Sequence, residues 1–178
     1  MATVLLIGER SQVLDELEEI VVGNNHFVVR AESFSELDRM DMTHTDVVTF
    51  GQALTEQQIT ALQSTYRQKN PHIIFVRSLA PIPSLLAIQI NAALTVPQAG
   101  RVIPAYDRPS HMATITLLQK QPVRVTVWWL SIFFHPKAKV ILEKVLDPGQ
   151  HNVSMPTWAR GAKYYVTVEI GKQDAYIV

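Results

Sequence analysis

The chain has 178 residues, 47% of them hydrophobic and 18% charged, enough for one ordinary domain or two small ones with a real core. Its 16 Lys and Arg balance its 16 Asp and Glu, so the overall charge exerts no general pull toward nucleic acid or an anionic membrane. There is no cysteine, which excludes disulfides, thiolate catalysis and Cys-based zinc or iron–sulfur sites.

The first strand is Thr3-Val4-Leu5-Leu6-Ile7, an apolar run of the kind buried on both faces of a parallel sheet. Glu9 and Arg10 cut that run short of the ~7–15 residues of a signal-peptide core, and no stretch reaches the ~18 of a membrane span. A soluble, cytoplasmic protein is expected. Ser11 is placed to cap a helix from Gln12 to about Val22, with Val13, Leu14, Leu17, Ile20 and Val21 on one side and Asp15, Glu16, Glu18 and Glu19 on the other. Gly23-Asn24-Asn25 ends it. Phe27–Arg30 reads as a second strand, Phe34–Met40 as a short helix after Ser33, and Asp46–Gly51 as a third strand. Thr55 caps a helix from Glu56 to Lys69. Ile73–Arg77 is the fourth strand, and a last helix runs from about Pro83 to Leu94. This β-α alternation predicts an open parallel sheet with helices on both faces.

In such sheets ligands bind outside the carboxyl ends of the strands. Gly8, Glu9, Arg10, Gly51, Gln52, Arg77 and Ser78 occupy those ends and form the candidate ligand-binding set, for a small ligand or a nucleotide. Gly8 begins a turn with a single glycine, whereas the dinucleotide fingerprint G-x-G-x-x-G needs three, and a P-loop is absent.

The segments TVLLIGER, DVVTFGQ and PHIIFVRS resemble the first, third and fourth strands of response-regulator receiver domains, over roughly residues 1–95. That resemblance implies a flavodoxin-like fold. It does not carry the family's chemistry. Gly8-Glu9 stands where receivers have a pair of Mg²⁺-binding acids, Gly51 where the phospho-accepting Asp ends strand three, and Arg77 where a Thr or Ser ends strand four. Gly51 has no nucleophile, and Glu9 alone is a poor Mg²⁺ site. The resemblance therefore implies a pseudo-receiver that does not accept phosphate.

Residues 97–111 are rich in proline and read as a linker between domains at 1–96 and 112–178, with 101–103 able to add a strand to either. Beyond it the period becomes two. Met112–Leu118, Val123–Leu130, Lys137–Leu142, His151–Met155, Lys163–Ile170 and Asp174–Val178 read as six short antiparallel strands of a β-sandwich. The apolar run Val125–Phe134 fits a strand pair. The pattern LDPGQHNVSMP followed by GAKYYVTVEIGKQDAYIV resembles compact Ig-like sandwiches of hook-cap proteins and bacterial sorting tails.

Six histidines form no H-x₃-H or H-E-x-x-H pattern, and no G-x-S-x-G elbow is present. His111, His135 and His151 lie near strand ends, but no metal, cofactor or catalytic residue is assigned. Trp128 and Trp129 are adjacent, so they must point to opposite faces of a strand. Trp128, with Phe133, Phe134 and Trp158, is the candidate interaction surface, Trp128 its expected anchor. The expected function is a non-enzymatic module for contact with another protein or with itself, in signalling or as a scaffold. Nucleic-acid binding is the least favoured reading.

Overall fold

The computed structural model describes residues 1–9, 11–37, 39–50, 54–95, 104–158, 163–171 and 174–178. The chain divides into two compact units, Met1–Leu94 and Thr95–Val178.

The first unit carries four parallel strands, β1 (Thr3–Ile7), β2 (Phe27–Ala31), β3 (Val47–Phe50) and β4 (Ile74–Arg77), in the order β2-β1-β3-β4. The order reverses between β1 and β3, as in doubly wound sheets. Because successive side chains alternate, β1 feeds two cores. Val4 and Leu6, with Val47 and Val76, meet Leu14, Leu17 and Val21 of α1 (Gln12–Gly23) and Leu86, Ala87 and Ile90 of α4 (Pro83–Leu94). Leu5 and Ile7, with Val48 and Phe50, meet Leu37 of α2 (Phe34–Leu37) and Ile59 and Tyr66 of α3 (Glu56–Lys69). Helices thus cover both faces, as the alternation predicts.

The caps fix where two of these helices start. Ser11 Oγ accepts from the Leu14 amide, and Thr55 forms a reciprocal capping box with Gln58. The second helix is shorter than expected: α2 ends at Leu37 rather than near Met40. After it the chain tightens, with the Arg39 and Met40 amides donating to carbonyls three residues back. The Asp41 carboxylate then accepts from both the amide (2.9 Å) and the hydroxyl (2.7 Å) of Thr43. Such side-chain capture of the backbone competes with helix continuation. One turn of helix leaves part of edge strand β2 open, so Phe27 and Val29 are exposed.

Among the described residues the second unit has seven strands rather than six. β5 (Ala105–Asp107), β6 (Met112–Leu117) and β9 (Gly149–Ser154) form one antiparallel sheet in the order β5-β6-β9. β7 (Gln121–Leu130), β8 (Pro136–Leu146), β10 (Tyr164–Ile170) and β11 (Asp174–Ile177) form the other, in the order β11-β10-β7-β8. One shared core of Ala113, Ile115 and Leu117 from the first sheet and Val123, Val125, Val127, Val166, Val168 and Ile170 from the second makes this a sandwich. β5 falls inside the stretch read as linker and pairs with β6, Tyr106 opposite Ala113; residues 96–103 lie outside the described residues.

Candidate functional site

The residues expected to bind a ligand lie at the strand ends of the α/β unit. Gly8 there uses its amide on the Ala31 carbonyl (3.1 Å), and Glu9 is exposed. Arg10, Gly51 and Gln52 lie outside the described residues. Arg77 forms an exposed ion pair with Glu56, at the start of α3. Ser78 donates to the Ala80 carbonyl at 2.6 Å. Gln89 of α4 accepts from the Leu79 amide and donates to the Arg77 carbonyl. These bonds fasten the β4–α4 loop to its own surroundings. A cavity of about 260 Å³ in this unit lies instead beside the shortened α2, against Leu5, Val29, Met40, Asp41, Met42 and His44.

The aromatic residues divide into three settings. Trp129 faces the sandwich core, its ring centroid 4.5 Å from that of Trp158, and the Lys139 ammonium lies 5.8 Å from the Trp158 ring. Trp128 points the other way, as adjacency in a strand requires. It is half-buried, and its indole N–H donates to the fully buried Thr167 hydroxyl at 2.8 Å. The expected anchor therefore has a stabilising bond within its own sheet.

Phe133 and Phe134 behave differently. They sit with Ile132 at the tip of the β7–β8 hairpin, where Ile132, Phe133 and Phe134 are 87%, 74% and 78% exposed. The tip is nonetheless built: the Ser131 amide donates to the His135 carbonyl and the Phe134 amide to the Ser131 carbonyl, both at 2.9 Å. The His135 amide donates to Ser131 Oγ. Phe134 closes the turn at φ 59°, in the left-handed region that suits Gly or Asn and disfavours bulky residues.

The adjoining strand β8 forms one edge of its sheet, mostly exposed along its length. It begins at Pro136, carries Lys137, Lys139 and Lys144, and has a register shift where Val140 and Leu142 oppose consecutive residues of β7. Proline, lysines and a bulge are the devices that stop an edge from pairing with another chain. The apolar tip thus stands at the end of an edge guarded against strand addition.

A third group was missed in the sequence because its members are far apart. The β5–β6 hairpin turns through Arg108-Pro109-Ser110-His111, with the His111 amide donating to the Arg108 carbonyl. Proline suits the second position of that turn, and His111 follows at φ 52°. His111 Nδ1 then lies 3.2 Å from the Tyr106 hydroxyl and 3.3 Å from that of Tyr164, and the two hydroxyls bond each other. The tyrosine rings meet edge to face at 6.3 Å. Burial, then the bond to Tyr164, pushes the Tyr106 phenol well above its ordinary pKa. The local signal available was only a Tyr at each end of an alternating pattern.

The other two of the three histidines near strand ends have separate settings. His151 bonds the Asp147 carbonyl through Nε2 (2.8 Å), and His135 lies beside the Phe133 ring. The described residues contain no group of three or more His, Asp or Glu side chains placed to hold a metal ion. Among them, no helix is long and apolar enough to cross a membrane. Comparison with known proteins yields no matching family model and no matching curated protein.

Proposed function

We propose that the protein is a non-enzymatic association module that engages another protein, or a second copy of itself, through the β7–β8 hairpin tip. The observation that carries this reading is the tip itself. Three consecutive apolar side chains are displayed to solvent on a hydrogen-bonded turn, one of them in a backbone conformation that costs free energy. None of that serves the core, and a contiguous exposed apolar group at a protruding position suits insertion into a partner's groove.

The α/β unit is read, within the same proposal, as a receiver-like domain incompetent for phosphorylation. Its strand order β2-β1-β3-β4 is the start of the flavodoxin-like order, and Gly8-Glu9 and Gly51 stand where the acids of phosphotransfer would be needed. The sandwich is read as Ig-like, and the cysteine-free sequence suits a reducing cytoplasm. The ligand-sensor alternative gains less support, because Arg77 and Ser78 are engaged with Glu56 and Ala80.

The test combines light-scattering mass across concentration with photo-crosslinking from a probe placed at position 133. A crosslink to a second copy or to one defined protein, lost in a Phe133→Ser/Phe134→Asn variant of unchanged fold, is expected. A monomer at all concentrations with no tip-dependent crosslink overturns the reading.

A further inference from the structure

The Tyr106–His111–Tyr164 group opens onto a cavity of about 250 Å³, whose lining includes Arg108, Lys163 and Val178. That volume is just below the usual range of ligand pockets, room for a small anionic group rather than a dinucleotide. Its charged lining side chains are Arg108 and Lys163. Arg108 and Lys163 are both exposed and have no carboxylate partner among the described residues, and the Lys163 ammonium lies 6.0 Å from the Tyr165 ring centroid. The Asp107 carboxylate, whose Oδ2 accepts from the Ser110 amide (3.2 Å) and the Ser110 hydroxyl, also acts electrostatically on Tyr106, opposed by Arg108.

The Tyr106 and Tyr164 hydroxyls and His111 Nδ1 form one hydrogen-bonded group in the lining of this cavity. In the neutral state, two phenolic protons serve three mutually close atoms: two hydroxyl oxygens and His111 Nδ1. One arrangement uses one proton between the oxygens and the other toward Nδ1. Both phenolic protons are then in use, so an arriving oxyanion gains one by displacing an internal bond, an exchange favoured because a charge-assisted bond is shorter and stronger than one between neutral groups. Burial of Tyr106 keeps its proton available for donation. The turn conformation of His111 holds the group together from one side, and the pairing of β10 holds Tyr164 from the other.

We propose that this cavity is a binding site for the oxyanion group of a small metabolite, a phosphate or a carboxylate, held by Arg108 and Lys163 and by the hydroxyls of Tyr106 and Tyr164. Guanidinium and ammonium supply the charge, and the phenols supply donors that a bare basic surface lacks. The site is separate from the hairpin tip and does not depend on its role.

Titration of the full-length protein with inorganic phosphate and, separately, with malonate, followed by amide NMR, tests the assignment. Saturable shifts confined to the amides of 106–111 and 163–166 are expected, with chloride at matched ionic strength producing none. Saturation by phosphate alone assigns phosphate esters, by malonate alone carboxylates, and by both the shared oxyanion chemistry; each supports the site. Arg108→Ala and Lys163→Ala, at exposed positions, are each expected to weaken binding about tenfold. Tyr106→Phe is expected to weaken it while keeping the ring. Absence of saturable shifts with either anion, or identical affinity in the Arg108→Ala/Lys163→Ala double variant, overturns the proposal.

Discussion

Phe134→Asn should make the β-sandwich more stable while removing association. At φ 59° a residue with a Cβ bears about 1–2 kcal/mol of left-handed strain, which Asn bears with less cost. The opposing loss is small. Full burial of a Phe side chain is worth about 1.5–3 kcal/mol, and Phe134 is 78% exposed, so its present burial contributes only about 0.5 kcal/mol. The balance is a gain of about 0.5–1 kcal/mol. For a unit of this size that raises the unfolding midpoint by about 2–8 °C. Phe134→Gly removes the strain completely but returns about 0.4–1 kcal/mol to the unfolded chain as added freedom, so it should fall between Asn and Phe. Trp128, Trp129 and Trp158 are the chain's three tryptophans and all lie in this unit, so thermal unfolding followed by tryptophan fluorescence reads the sandwich directly. A midpoint lowered by either substitution would show that Phe134 stabilises its own fold, and the inference from strain to an external partner would fail.

Other outcomes follow from buried polar groups. Thr49 Oγ1 is buried in the parallel sheet without a hydrogen-bond partner among the described residues, so the isosteric Thr49→Val should stabilise the α/β unit by about 1 kcal/mol in urea unfolding followed by far-UV circular dichroism. A loss of stability would mean the hydroxyl is satisfied. Trp128→Phe deletes the donor to Thr167 and should cost about 1 kcal/mol, with the solution mass and crosslinking pattern unchanged; altered association would restore Trp128 as an anchor. Burial, and more weakly Glu143, raises the pKa of Glu169 above the ordinary Glu value, against a lowering by Arg124. The folded state then holds a proton that the unfolded state has released, so this group's contribution falls as pH rises from the ordinary Glu pKa through the raised one. Glu169→Gln should therefore stabilise the protein at neutral pH and lose that advantage below about pH 4; equal effects at both pH values would contradict the assignment.

The alternation of strands and helices in residues 1–94 was readable because each element is specified locally. Apolar runs at β1 and β3 need burial on both faces, and Ser11 and Thr55 announce their helices. The opposite faces of Trp128 and Trp129 were equally determined, since a strand has a period of two. Whether Trp128 would be free was not, because that depends on Thr167 in a strand 39 residues away. The end of α2 turned on a competition between helix and the Asp41–Thr43 bonds that propensity alone does not resolve. The three residues of β5 carry too little pattern to be seen without their partner β6.

Phe133 and Phe134 belong with Trp128 and Trp158 to the surface expected from sequence, yet only the β7–β8 register places these two, apart from the tryptophans, at an exposed tip. The joining of Tyr106 and Tyr164 across 58 residues of chain is a property of two sheets closing on one core. Sequence by itself determined what each segment had to bury, because burial follows local period. Tertiary structure decided which polar groups meet and which apolar ones are left outside, because both depend on contacts between segments distant in the chain.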